Sequence, residues 1–335
     1  MDPLRQIALT RELIDIDSTT GREKAAGRYI ATTLKGLGYH VTTQPVAGDR
    51  FNVIACIDPP KVVLSTHFDC VPPYFSSREE QGILHGRGSC DAKGTLLAMI
   101  AASERLRALG ERRVGLLFVV GEERGSEGAR AANGVAPGST FLINGEPTDN
   151  RLGEATRGIY RVKLHATGRA AHSSQPELGE SAIEKLVNAL VSLRHIEWPS
   201  DSGLGRTHYS VGLISGGVAP NVVPPSAEAE VMFRTVGDHD EIRKLLETHL
   251  RQGMTFEDVL VVPPVHLKTV EGVPSAVFSF TTDIPWLDRW GTPLLLGPGS
   301  VTVAHTDHEQ IPVAELHRAV ELYESLARTL MSQSG

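Results

Sequence analysis

Three short apolar runs in the first half of the chain each end in an acid or a histidine. Lys61–Thr66 leads into His67 and Asp69, Arg113–Val120 into Glu122 and Glu123, and Thr140–Asn144 into Glu146. Asp91 opens a helix-like stretch, and His305 follows a fourth apolar run, Pro293–Leu296. The runs are short, and Lys61–Thr66 is β-branched, so they predict buried strands. Strand–helix alternation through them predicts an α/β sheet that is at least partly parallel. Ligands of such sheets bind beyond the carboxyl ends of the strands, where these residues fall. Carboxylates gathered at one spot repel each other and take up protons unless positive charge sits among them. Divalent metal ions would supply that charge, and with it a reaction.

The chain has 335 residues, which suggests about two domains. Net charge is −7, which argues against nucleic acid and anionic membrane as partners. The three cysteines, Cys56, Cys70 and Cys90, show no CxxC spacing and fit a reducing, cytoplasmic setting. The N-terminal stretch reads as an amphipathic helix rather than a signal peptide, and no apolar run is long enough to span a membrane.

Helical periodicity covers Leu4–Ile16 and Lys24–Leu37, with short strands expected near His40–Thr43 and Asn52–Ile57. A helix is expected over Gly94–Leu109 and a shorter one over Gly125–Asn133. The pattern changes after Arg157. Gly158–Thr167, Thr207–Leu213, Ala227–Arg234 and Val259–Val262 read as strands, with helices over Ser181–Arg194 and Asp238–Leu250. That β-α-β-β-α-β order is ferredoxin-like. It predicts an inserted domain over residues 158–267, the first domain comprising 1–157 and 268–335. A long helix, Pro312–Met331, closes the chain, with Pro312 expected in its first turn.

Each candidate residue has a plain reading as well as a chemical one. His67 and Asp69, two apart, share a strand face, and the Asp69 carboxylate would then hold the far ring nitrogen of His67. Otherwise they are a surface histidine and a loop acid. Asp91 reads as a helix cap, which leaves one carboxylate oxygen free for a metal. Glu122 and Glu123 are either a solvated rim or a pair of which one binds metal and the other acts as base. His308 competes locally with His305. Together the residues make a two-metal set: Asp91 bridging, His67 and Glu146 on one ion, Glu123 and His305 on the other. Such nitrogen and oxygen donors suit zinc, with cobalt or manganese as substitutes.

Several segments, in order, resemble the M20 family of dinuclear metallohydrolases. They are His67-Phe-Asp-Cys-Val-Pro72, Gly88-Ser-Cys-Asp-Ala-Lys-Gly94, Glu122-Glu123 and Gly145-Glu-Pro147. The resemblance implies a zinc-peptidase-like catalytic domain with a mixed, mostly parallel sheet, plus the inserted α+β domain as lid and dimerisation element. It implies Glu122 as general base, Asp69 as the residue orienting His67, and His67, Asp91, Glu123, Glu146 and His305 as ligands of two divalent ions. In the inserted domain it points to His172 for the oxyanion, Asn221 for substrate contact and Arg234 for a substrate carboxylate. An arginine suits that last task because its fork binds a carboxylate through two hydrogen bonds. Gly297-Pro-Gly299-Ser resembles the loop that cradles substrate in the deacetylase branch. Two departures stand out: His308 replaces an acid common in the deacetylases, and the chain is short for the group.

The expected function is metal-dependent removal of an acyl group from an N-acyl amino acid, in the manner of acetylornithine deacetylase. A dipeptidase, carboxypeptidase or desuccinylase is the alternative, and a non-catalytic binding protein on the same fold a third. The expected partners are a small substrate and a second copy of the chain. No GxSxG, P-loop or GxGxxG segment is present, which argues against serine hydrolases and nucleotide enzymes.

Overall fold

The computed structural model describes residues 1–250 and 253–333. The chain forms two units. One comprises Met1–Glu154, Leu267–Ala276 and Thr282–Gly335, the other Ala155–His266 and Val277–Thr281.

The first unit is built on a six-stranded mixed sheet. Its order is His40–Ala47, Arg50–Cys56, Val114–Val119, Val62–His67, Phe141–Asn144, Thr292–Leu295. The last four run parallel, and the first two form an antiparallel hairpin at one edge. Val62–His67 and Val114–Val119 are buried at every position, as parallel strands covered on both faces must be. The helix Lys93–Ala108 is buried almost all round, because it packs against both the sheet and the closing helix Val313–Ser332. Asp2 caps the first helix, Pro3–Ile14, by accepting from the Arg5 N–H at 2.9 Å. Pro312 stands just before the closing helix with extended backbone, one position earlier than expected.

The hairpin Arg78–Glu80/Ile83–His85 was not expected, since its first strand is charged and exposed. Gln310–Pro312 pairs with its second strand.

The second unit has a four-stranded antiparallel sheet ordered His208–Gly216, Ser226–Thr235, Gly158–Thr167, Met254–Val262. With the helices Ala182–Ser192 and His239–His249 this is the ferredoxin-like arrangement. Its core gathers Tyr160, Val162, Leu186, Trp198, Val231, Phe233 and Leu246. Among the described residues, no helix is long and apolar enough to cross a membrane.

Candidate metal centre

The parallel strands carry the candidate residues to one edge of the first unit's sheet. His67 is the last residue of its strand, and a short 3-10 turn, Glu122–Arg124, follows the neighbouring strand. Glu146 comes just past Phe141–Asn144, and Asp91 just before the helix Lys93–Ala108. The Asp91–Ala92 peptide is cis. His305 stands in the loop after Thr292–Leu295 with φ of 64°, a left-handed backbone unusual for a histidine.

These side chains converge. His67 Nε2 lies 2.9 Å from Asp91 Oδ1 and 3.7 Å from Glu146 Oε2. His305 Nε2 lies 3.2 Å from Asp91 Oδ2 and 3.0 Å from Glu123 Oε2. Asp91 therefore turns one oxygen to each histidine. Donor atoms of His67, Asp91 and Glu123 all fall within 4.8 Å of one another. His67, Asp91 and Glu146 are buried, and Glu146 Oε1 has no hydrogen-bond partner among the described residues.

The electrostatics show how much this cluster wants positive charge. Burial pushes the Glu146 carboxyl up to about 8 and raises Glu122 well above the carboxylate range, with Glu146, Asp283 and Glu123 adding to the rise at Glu122. Burial raises Glu123 as well. His305 is pushed up to about 10, first by its hydrogen bond to Asp91 and then by that to Glu123. Burial disfavours the His67 cation, yet the Glu146 charge and bonds to Asp69 and Asp91 outweigh it and raise the imidazole well above its ordinary value. Burial works against the Asp91 anion too, but hydrogen bonds from His305 and His67 hold it below the usual range. Imidazole nitrogens, shared carboxylates and an orphaned Glu146 oxygen are a donor set that fits divalent cations, which take the place of the bound protons.

Asp69 faces His67 Nδ1 with both its backbone carbonyl and its carboxylate. The His67 Nδ1 contact at 3.0 Å is to the Asp69 backbone carbonyl, while the carboxylate lies 3.4 Å away. The carboxylate also accepts from the backbone N–H groups of Glu122 and Glu123 and from the Thr20 hydroxyl. It is buried among donors at the start of a turn, where backbone N–H groups otherwise lack partners.

His308 is exposed and pairs with Asp307, which leaves His305 as the histidine of the cluster. Two residues escaped the sequence reading. Glu309 is fully buried beside the Asp91 loop, and no motif in the sequence marks it. Asp283 is 1% exposed, its oxygens make no hydrogen bond of normal geometry, and burial pushes it up to about 6. As an acid before Ile284-Pro-Trp286 it reads as an ordinary helix cap, so it carries no sequence signal. Gly299 has φ of 80°, and a Cβ there would meet Cys90 Sγ at 2.5 Å. Its N–H donates to Glu315 and its carbonyl accepts from the Asp149 N–H.

In the second unit, His172 is exposed, its Nδ1 2.8 Å from the Ser174 hydroxyl. The Ser173 N–H donates to the Asn221 carbonyl at 3.0 Å, so the two segments run side by side. Arg234 is half-buried, and burial draws its guanidinium below its ordinary value.

A parallel-centred sheet with acids and histidines converging at its carboxyl ends is the frame of a metal-dependent hydrolase acting on amide bonds. The chain belongs to peptidase family M20/M25/M40, whose family model matches residues 63–329. A probable carboxypeptidase of Aspergillus terreus is 36% identical, the match covering 97% of this chain and 86% of that protein. Among solved structures, a tripeptidase from Staphylococcus aureus is similar at a TM-score of 0.83 and 20% identity, over 98% of this chain and 99% of its own. A dinuclear metal-binding M20 peptidase from Bacillus subtilis is similar at 0.73 and 16%, over 99% of each chain.

Proposed function

We propose that this chain is a metal-dependent peptidase of carboxypeptidase type, cleaving the amide bond next to a free carboxylate. The observation that carries the reading is Asp91, with one oxygen toward His67 and the other toward His305. In this reading Asp91 would serve two divalent ions, with His67 and Glu146 holding one and Glu123 and His305 the other. Zinc suits these donors, with cobalt or manganese as alternatives. When bound, such ions polarise a carbonyl and make water acidic.

The chain's own residues then divide the work. Glu122, raised by burial, takes the proton of the attacking water as its oxygen bonds to the carbonyl carbon, and passes it to the amine nitrogen as the C–N bond breaks. Asp69 holds the Glu122–Glu123 turn in place. His172 donates to the oxyanion. Asn221 contacts the substrate. Arg234, half-buried, takes a substrate carboxylate.

The same chemistry would serve acetylornithine or another N-acyl amino acid. The name of the Aspergillus relative favours peptides over that substrate. The three free cysteines support a reducing compartment, hence the cytoplasm. The exposed strand His208–Gly216 supports assembly into a homodimer through the inserted domain.

A panel of metal-reconstituted assays tests the substrate. Dipeptides and tripeptides with a free C-terminus should be hydrolysed, and their C-terminal amides should not. Hydrolysis of N-acetylornithine or N-succinyl amino acids with no turnover of peptides would overturn the carboxypeptidase reading.

A further inference from the structure

We propose that Glu309 is a positioning residue that sets the Gly88–Asp91 loop so that Asp91 presents both of its carboxylate oxygens. The proposal rests on the metal-centre reading above and extends it to a residue outside the ligand set.

Glu309 is fully buried. Its Oε1 accepts from three backbone N–H groups, those of Gly88, Cys90 and Asp91, each at 3.0 Å. Its Oε2 accepts from Arg87 Nη1 at 2.7 Å, and its carbonyl accepts from the Gly86 N–H at 3.1 Å. Successive backbone N–H groups converging on one oxygen form an anion-holding concavity, here filled by a side chain of the same protein. Glu309 sits only four residues beyond His305. The segment that carries one histidine of the cluster therefore grips the loop that carries the shared carboxylate.

The choice of an acid is informative. Glu309 adds a negative charge beside Asp91, which the cluster already has in excess. Arg87, 1% exposed, offsets it, and is itself held by the Pro73 carbonyl at 3.1 Å and by the Phe75 ring. A neutral glutamine would still offer one oxygen to the three N–H groups, but would turn an NH2 toward the Arg87 donor.

Cobalt binding tests this. Metal-free wild-type, Glu309→Ala, Glu309→Asp and Glu309→Gln/Arg87→Met proteins are titrated with cobalt(II), following affinity and visible absorption, where circular dichroism shows each to be folded. Glu309→Ala should bind cobalt about 10–100-fold more weakly, with an altered spectrum, as expected on losing support for a ligand. Glu309→Asp, too short to reach all three N–H groups, should shift the same way. Glu309→Gln/Arg87→Met keeps the acceptor and removes the donor conflict, so its affinity and spectrum should return close to wild type. A folded Glu309→Ala or Glu309→Asp protein with wild-type affinity and spectrum overturns the proposal; should Glu309→Ala not fold, Glu309→Asp decides. Wild-type protein that binds no cobalt overturns the metal-centre reading as well, whereas variants that match a cobalt-binding wild type overturn this proposal alone.

Discussion

The carboxylate of Asp69 accepts a hydrogen bond from the Glu122 backbone N–H at 3.1 Å. Its other oxygen takes the Glu123 N–H at 3.3 Å and the Thr20 hydroxyl at 2.9 Å. One buried acid thus fixes the turn that carries both Glu122 and Glu123. Asp69→Asn would keep one acceptor and point an NH2 at the remaining N–H. We expect kcat to fall about 10–100-fold, with a loss of about 1–3 kcal/mol in stability from the unpaired donor. Steady-state kinetics and urea unfolding measure the two separately. An unchanged kcat in a destabilised protein would leave Asp69 a purely structural residue.

Glu122 makes a sharper case. Its side chain is half-buried and its carboxyl is raised well above the ordinary range, chiefly by burial. Glu122→Gln should therefore lower kcat by about 10²–10⁴-fold, while metal content stays at the wild-type level. Metal analysis and peptide hydrolysis on the same preparation check this. Wild-type turnover by Glu122→Gln would remove Glu122 from the base role.

The central strands could be read from the sequence because parallel strands buried on both faces leave continuous apolar runs, as in Val62–His67 and Val114–Val119. The outer strand His40–Ala47 extends beyond its expected end because one exposed face breaks that signal. Met254–Val262 begins five residues earlier than expected, since Thr255, Glu257 and Asp258 obscure its apolar positions. The acids of the centre and His67 were legible because each lies at or just past a strand end or just before a helix, whereas His305 stands in a loop ten residues beyond its strand. Glu309 was not, because its role depends on loop donors brought to it only by folding. Asp69 was half legible: its closeness to His67 followed from spacing, but its bonds to the Glu122–Glu123 turn come from a neighbouring strand's end.

Metal removal should expose the proton balance of the site. Glu146 at about 8 and His305 at about 10 are largely protonated at pH 7 in the metal-free protein. Ligands must give up protons to bind a cation, so binding releases protons and affinity rises with pH, through 8 and on toward 10. Calorimetric titration in buffers of different ionisation enthalpy counts the released protons, and a count near zero would contradict this balance. Chelator treatment should abolish activity and lower the melting temperature. Saturating ion at about 100 times its Kd adds about 2.7 kcal/mol to stability.

The edge strand His208–Gly216 provides the last prediction. Among the described residues it pairs with Ser226–Thr235 on one side only, and it carries Leu213 at 64% and Ile214 at 58% exposure. An exposed apolar edge is a ready template for a second strand, which proteins otherwise blunt with charge or proline. Leu213→Glu/Ile214→Lys places one charge of each sign there and leaves net charge unchanged. Both sites are exposed, so folding stability should move by no more than about 0.5 kcal/mol. Light scattering after size exclusion should find wild-type protein as a dimer and the double variant as a monomer. A monomeric wild type, or a double variant that stays dimeric, would place the assembly surface elsewhere or remove it.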